Sequence, residues 1–174
     1  MRSGRAWALE AIVISVAVWL LSASPAQAGQ PAAIEVSAGQ FSALRGSAAH
    51  EIGWELGFAS RRFRWLPRVV PGLSPTVGAM ATAKGTLYVY GGFRCDLPLG
   101  KTWRWSPQLA TGVFYRYAGH NLGGALEFRS GIEVSRRLGE RAHLGLTLYH
   151  LSNAGLFDSN PGSESLVLTF STRP

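Results

Sequence analysis

Cysteine is almost absent from this 174-residue sequence, in which Cys95 is the single example. One thiol excludes an intramolecular disulfide framework and a zinc site built from several thiolates. The sequence also lacks the spacings of a phosphate-binding loop, a metal-binding histidine pair and a Gly-x-Ser-x-Gly nucleophile elbow. What is present is a chain of one-domain length with 47% hydrophobic residues, which is typical of a folded protein.

The first 28 residues have the pattern of a secretory signal peptide. Arg2 and Arg5 precede an apolar run from Ala11 to Leu21, and residues 24–28 end in the small-x-small pattern that signal peptidase accepts. The apolar run is too short to be read as a membrane-spanning helix. We therefore expect residues 1–28 to be a signal peptide and residues 29–174 to form the mature protein.

Acidic residues are outnumbered, since 17 Lys and Arg against 10 Asp and Glu give a net charge of +7. Lys84 and Lys101 are the only lysines, so the basic residues are nearly all arginines, which suit bidentate contact with phosphate oxygens. For an exported protein, phosphorylated lipid is a better candidate partner than nucleic acid. We expect no nucleic-acid partner.

No apolar stretch after Ala28 reaches the roughly 18–20 residues of a transmembrane helix, so a mature chain that enters a membrane must do so as a barrel. Apolar residues alternate with polar or small ones in residues 51–58, 103–117, 126–134 and 142–148, which predicts strands. Weaker strand patterns cover residues 34–41, 73–82, 86–94 and 164–170. These eight strands are enough to close a barrel, with turns expected between them, one of them at Cys95–Gly100.

Alternation alone does not distinguish a membrane barrel from a soluble ligand-binding barrel, whose apolar face points inward. The distribution of aromatic residues favours the membrane barrel, because they lie towards the ends of the apolar faces, as in the girdles of outer-membrane barrels. These residues are Trp54, Phe58, Trp103, Trp105, Tyr115 and Tyr117. Charged residues such as Glu55, Arg104, Glu127 and Arg129 fall on the opposite face. We therefore predict an all-β protein, an eight-stranded antiparallel transmembrane β-barrel in the bacterial outer membrane.

The densest group of reactive side chains lies in residues 149–164. His150 and Ser152 are two residues apart, which in a strand puts both side chains on one face with Cα atoms about 6.6 Å apart. If the loop 153–163 joins an antiparallel pair, Glu164 can lie across from His150 and orient its imidazole. The pattern predicts Ser152 as nucleophile, His150 as base and Glu164 as orienting acid. His50, His120 and His143 have no comparable partners, and we interpret them as ordinary turn or lumen residues.

The alternation of the strands predicts that the side chains of His150, Ser152 and Glu164 face lipid. His150 and Ser152 continue the even-numbered apolar face of residues 144–148, and Glu164 shares the parity of Leu166 and Leu168. Polar groups facing lipid are costly unless they act there, so the substrate is expected to approach from the bilayer. Counting strands from a periplasmic N-terminus puts the loop between the seventh and eighth predicted strands outside the cell. The site should then face the outer leaflet, where lipopolysaccharide resides.

The segment His150-x-Ser152-Asn153-Ala154-Gly155, followed by Asn160-Pro161-Gly162 and Glu164, resembles the signature of the PagL-type lipid A 3-O-deacylases. The resemblance implies an outer-membrane barrel with a His/Ser/Glu triad on its outer surface. It implies hydrolysis of the ester-linked acyl chain at position 3 of lipid A, with no metal or other cofactor. It also implies that Asn153, Gly155 and Asn160 lie where that family has its oxyanion-hole and loop-supporting residues.

Outside residues 150–164 the resemblance extends only to length, strand pattern and signal peptide. The triad chemistry alone equally fits an outer-membrane phospholipase, and only the signature favours lipid A. Two further classes are left open by the residues: a non-enzymatic structural or adhesive barrel, and a soluble periplasmic calyx. Whether the barrel forms a homodimer is also left open.

Overall fold

The computed structural model describes residues 33–44, 51–59 and 72–173, so the expected signal peptide lies outside the described residues, as does His50. Within these ranges the chain forms nine strands: β1 (Ala33–Phe41), β2 (Glu51–Ala59), β3 (Leu73–Thr82), β4 (Leu87–Cys95), β5 (Leu97–Leu99), β6 (Trp103–Tyr115), β7 (Leu126–Leu138), β8 (Ala142–Ser152) and β9 (Ser163–Thr172).

The strands close into a barrel. Each pairs antiparallel with its neighbours, β4 pairs directly with β6, and β1 pairs with β9. The short β5 continues β4 beyond Asp96 along the same partner, β6. Because β4 and β5 together occupy one strand position in the wall, the barrel has eight strand positions. The predicted eight-stranded antiparallel barrel is confirmed.

The turn expected at Cys95–Gly100 is wrong, because Cys95 ends β4 and β5 follows it. The turn of this hairpin lies instead at residues 100–102, between β5 and β6. Asp96 interrupts the strand without ending the hairpin, since its carboxylate accepts hydrogen bonds from Arg94 and Arg104 and from the hydroxyl of Ser106. Asp96, which lies within the expected turn, is thus held by the ionic network of the barrel lumen.

The alternation of side chains separates an apolar exterior from a polar lumen. In β2 the even-numbered Ile52, Trp54, Leu56 and Phe58 are exposed, whereas Glu51 and Glu55 are buried. The same division holds in β7, where Phe128 and Ile132 point outward. Among the described residues, no helix has the length and apolar character needed to cross a membrane.

The buried arginines of the lumen form ion pairs. Arg94 contacts Glu35, Asp96 at 2.9 Å and Glu133 at 3.3 Å. Arg104 shares Asp96 at 3.2 Å and Glu133 at 3.0 Å. Nearer the other end of the barrel, the Arg129 guanidinium contacts Glu55 at 2.9 Å and lies 3.8 Å from the ring centre of Tyr149. Pairing of this kind offsets the cost of removing these charges from water.

The two ends of the barrel differ in their connections. β1 begins and β9 ends at one end, which also carries the short turns at residues 100–102 and 139–141. The opposite end carries the longer loops 116–125 and 153–162 together with the short turn 83–86, and the connections 60–71 at the first end and 45–50 at the opposite end lie outside the described residues. Outer-membrane barrels have short periplasmic turns and longer extracellular loops. The end of β8 and the start of β9, where the predicted triad lies, are at the long-loop end.

Candidate active site

His150 and Glu164 face each other across β8 and β9. They are directly opposite in the strand register, and His150 Nδ1 lies 3.1 Å from Glu164 Oε1. The side chains are 43% and 30% exposed, so the pair is accessible from outside the barrel. Because a carboxylate can only accept, the Nδ1–H donates this bond, which leaves Nε2 as the nitrogen that can take a proton.

Ser152 is the last residue of β8 and lies on the same outer face as His150. Two residues along a strand separate their Cα atoms by about 6.6 Å. Within the part of the chain that the structure describes, no hydrogen bond joins the Ser152 hydroxyl to the imidazole. Such contacts are often long in structures without substrate and tighten when it binds.

A second serine also adjoins His150. Ser130 of β7 is the direct cross-strand partner of His150, on the side away from Glu164, and its side chain is exposed. The sequence analysis missed it, although Ser130 has the same parity as the outward-facing Phe128 and Ile132. The imidazole therefore has two hydroxyls on its face of the barrel, and Ser152 needs to be distinguished from Ser130 by experiment.

Gly162 lies against the edge of the His150 ring. A Cβ built at this glycine would be 2.8 Å from Cε1 and 3.3 Å from Nε2 of His150, and the glycine has a φ of +66°. Both features favour glycine, since the backbone conformation is rare for other residues and a Cβ would have to displace the His150 ring. Gly162 thus lies against one side of the His150 ring and limits where the imidazole can lie.

Asn153 organises the loop that joins β8 to β9. It is fully buried, and its Nδ2 donates to the carbonyls of Leu122 at 2.9 Å and Ser159 at 2.8 Å. Its Oδ1 accepts from the Gly155 amide at 3.0 Å, and its own amide donates to Asn160 Oδ1 at 3.0 Å. The structure therefore brings Asn153, Gly155 and Asn160 together in one hydrogen-bonded turn beside Ser152.

His120 lies in the 116–125 loop, in keeping with the turn position expected from the sequence, and contacts the loop between β8 and β9. Its Nε2 lies 3.2 Å from the carbonyl oxygen of Gly162, which joins the 116–125 loop to the residue packed against His150. His143, by contrast, lies near the start of β8, at the opposite end of the barrel. Among the described residues, no group of three His, Cys, Asp or Glu side chains is arranged to hold a metal ion.

A closed barrel with an apolar exterior and a charged lumen defines this protein as a bacterial outer-membrane β-barrel. The family model described as Lipid A 3-O-deacylase (PagL) matches residues 48–173, and the chain belongs to that family. The family resemblance and the outer-membrane location predicted from the sequence are confirmed. The family consists of outer-membrane hydrolases that act on lipid A.

Solved structures show the same fold. The crystal structure of the outer-membrane enzyme PagL aligns with a TM-score of 0.61 at 19% identity, covering 80% of this chain and 98% of that one. Neisserial surface protein A (NspA) aligns with a TM-score of 0.57 at 10% identity, over 84% of this chain and 98% of that one. A de novo designed transmembrane β-barrel gives 0.53 at 11% identity, over 85% and 98% of the two chains. Comparison with curated proteins finds no match.

Proposed function

We propose that this protein is a serine esterase that hydrolyses the ester-linked acyl chain at position 3 of lipid A, with Ser152, His150 and Glu164 as its triad. The observation that carries the proposal is the His150–Glu164 hydrogen bond on the outer face of the barrel, two residues from Ser152. The family to which the chain belongs supplies the substrate class.

The proposed reaction begins with attack of Ser152 Oγ on the ester carbonyl carbon while His150 Nε2 accepts the hydroxyl proton. Glu164 holds the imidazole by Nδ1 and stabilises the imidazolium that forms. Collapse of the tetrahedral intermediate breaks the ester bond, and the leaving sugar oxygen takes the proton from His150. Water then repeats the sequence on the acyl-enzyme and releases the fatty acid.

Among the three residues expected to form or support the oxyanion hole, Asn160 is the one whose side-chain N–H groups are not used in the hydrogen bonds of the turn. An amide N–H can only donate, so the group that accepts from the Asn153 amide must be Asn160 Oδ1, which leaves Asn160 Nδ2 as a donor. The Asn153 side chain and the Gly155 amide already make hydrogen bonds within the turn. We assign Asn153 and Gly155 to loop support.

The position of the triad supports a substrate that arrives from the membrane. His150 and Ser152 follow the outward-facing Leu144, Leu146 and Leu148 along β8, at the long-loop end of the barrel. In an outer-membrane barrel that end is extracellular. The triad would then meet lipopolysaccharide of the outer leaflet at the level where its ester-linked acyl chains begin.

Replacement of Ser152 and Ser130 by alanine tests the nucleophile. The intact gene, with its expected signal peptide, is expressed in a Gram-negative host beside Ser152→Ala and the matched control Ser130→Ala, and lipid A is analysed by mass spectrometry. We expect the wild type and Ser130→Ala to remove one 3-O-linked acyl chain and Ser152→Ala to remove none. A triad nucleophile contributes at least a thousandfold to the rate, on the order of the losses seen in other serine hydrolases.

The other outcomes identify the rival assignments. Loss of activity in Ser130→Ala with retention in Ser152→Ala would make Ser130 the nucleophile. Unchanged lipid A in every strain, with the barrel located in the outer membrane and folded by its heat-modifiable migration, would contradict the proposed activity. Release of fatty acid from glycerophospholipid in that case would assign a phospholipase.

A further inference from the structure

The carbonyl of Gly162 is held by a histidine from another loop. Its oxygen lies 3.2 Å from His120 Nε2, and a carbonyl can only accept, so His120 carries its proton on Nε2. On its other side, the Cα of the same glycine packs against the His150 ring, where a Cβ would lie 2.8 Å from Cε1. The peptide that limits where the His150 imidazole can lie is therefore fixed by His120.

His120 is itself anchored to the barrel wall. Its amide donates to Glu51 Oε1 at 2.6 Å, and Glu51 Oε2 accepts from the hydroxyls of Thr82 at 2.5 Å and Thr86 at 3.2 Å. Glu51 is only 3% exposed, so these hydrogen bonds are buried. Buried, charge-assisted hydrogen bonds of this kind are stronger than neutral ones and resist displacement.

Gly119 makes this anchoring possible. A Cβ at this position would lie 2.2 Å from Thr86 Oγ1 and 2.5 Å from Glu51 Oε1. The absence of a side chain lets the carboxylate approach the backbone closely enough to accept from His120. Four residues therefore act together to hold the His120 backbone in place: Glu51, Thr82, Thr86 and Gly119.

The segment after Gly162 is fixed from the opposite side. The hydroxyls of Ser163 and Ser42 are 2.9 Å apart, and the Ala43 amide donates to the Glu164 carbonyl at 2.7 Å. These contacts tie the start of β9 to the end of β1. His120 supplies the corresponding restraint from the side of the 116–125 loop, so that Gly162 is held between the two.

We infer that His120 is a positioning residue for the proposed esterase, acting on His150 through the Gly162 carbonyl. The inference rests on the proposed function. It predicts that His120 affects the chemical step, because a displacement of the base by about 1 Å can lower a rate by about a hundredfold. It does not predict a change in substrate binding, since His120 contacts the loop backbone.

The test uses the purified full-length barrel in detergent with lipid A as substrate, and compares His120→Ala, His120→Gln and His143→Ala. The glutamine amide can donate to the Gly162 carbonyl as the imidazole does, whereas alanine cannot. We expect His120→Ala to lower kcat about 10- to 100-fold with KM within about twofold, on the scale set by misplacement of a catalytic group. We expect His120→Gln to recover most of the rate. His143→Ala, at the far end of β8, should match the wild type.

Labelling of Ser152 by a fluorophosphonate probe gives a second readout, because it requires the base but not lipid A. We expect the labelling rate to fall in His120→Ala and to recover in His120→Gln. If His120→Ala does not fold, His120→Phe keeps the ring volume without the donor and replaces it in both assays. Failure of both variants to fold would overturn the inference in favour of a purely structural role for His120.

The controls separate this inference from the proposed function. An inactive wild type, or a Ser152→Ala variant as active as the wild type, contradicts the proposed function. An active wild type, an inactive Ser152→Ala variant and a His120→Ala variant within twofold of the wild type in both assays overturn the role of His120 alone. Equal loss in His120→Ala and His120→Gln would also overturn it.

Discussion

At the scale of single residues, the position of the His150 imidazole depends on Gly162 having no side chain. We predict that Gly162→Ala lowers kcat about a hundredfold, because its Cβ would have to displace the ring from its present contact. The matched control is Gly139→Ala, since Gly139 has a similar φ of +69° but nothing within 4 Å of its ideal Cβ. It carries the same backbone strain, at a turn far from the site, without the clash.

The comparison isolates the contact from the strain. Alanine in the left-handed region costs about 1–2 kcal/mol wherever it occurs, so both variants should lose a similar amount of thermal stability. Only Gly162→Ala should lose activity, measured by release of fatty acid from lipid A at a temperature where both barrels are folded. Equal activity of the two variants would show that the glycine contact does not position His150.

At the scale of one element, the loop from β8 to β9 depends on the Asn153 side chain. Asn153→Asp is nearly isosteric, but it replaces the two N–H donors to Leu122 and Ser159 with an oxygen that the two carbonyls repel. Each unsatisfied buried group costs about 1–3 kcal/mol. We predict that the loop opens, seen as faster proteolytic cleavage within residues 153–162 and as lost activity in a barrel that remains folded.

Asn121→Asp is the control for that loop variant. Asn121 accepts from the Gly123 amide through Oδ1, so aspartate preserves its hydrogen bond while adding the same charge at an exposed position. It should leave both proteolysis and activity unchanged. If the two variants behave alike, added negative charge rather than the lost donors is responsible.

The elements also show what the sequence could and could not reveal. Alternation fixes which residues of a strand face outward, and an antiparallel hairpin brings its two ends together, so the pairing of His150 with Glu164 was predictable. Contacts between separate loops were not. His120 and Gly162 are 42 residues apart, and no local pattern records their hydrogen bond. The prediction of a turn at Cys95–Gly100 was wrong for a related reason. Asp96 is stabilised inside the barrel by Arg94 and Arg104, and contacts of this kind are not visible in the local sequence.

At the scale of the whole molecule, the ionic network of the lumen lies towards the end opposite the candidate site. Arg94 is its centre, with contacts to Glu35, Asp96 and Glu133 and a side chain only 3% exposed. Removing one partner from a buried ionic cluster costs about 3–5 kcal/mol, because the remaining charges lose their compensation. We therefore expect the Arg94 cluster to stabilise the barrel without taking part in the proposed chemistry.

We predict that Arg94→Met lowers the free energy of unfolding by about 3–5 kcal/mol while the folded protein keeps its activity. The midpoint of urea unfolding, followed by heat-modifiable migration, measures the first effect, and lipid A deacylation in the absence of urea measures the second. Lys101→Met is the control, since Lys101 is an exposed cation in the turn at the same end of the barrel. An Arg94→Met variant as stable as the control would show that the lumen reorganises around the lost charge. A folded variant that no longer deacylates lipid A would show instead that the two ends of the barrel are coupled.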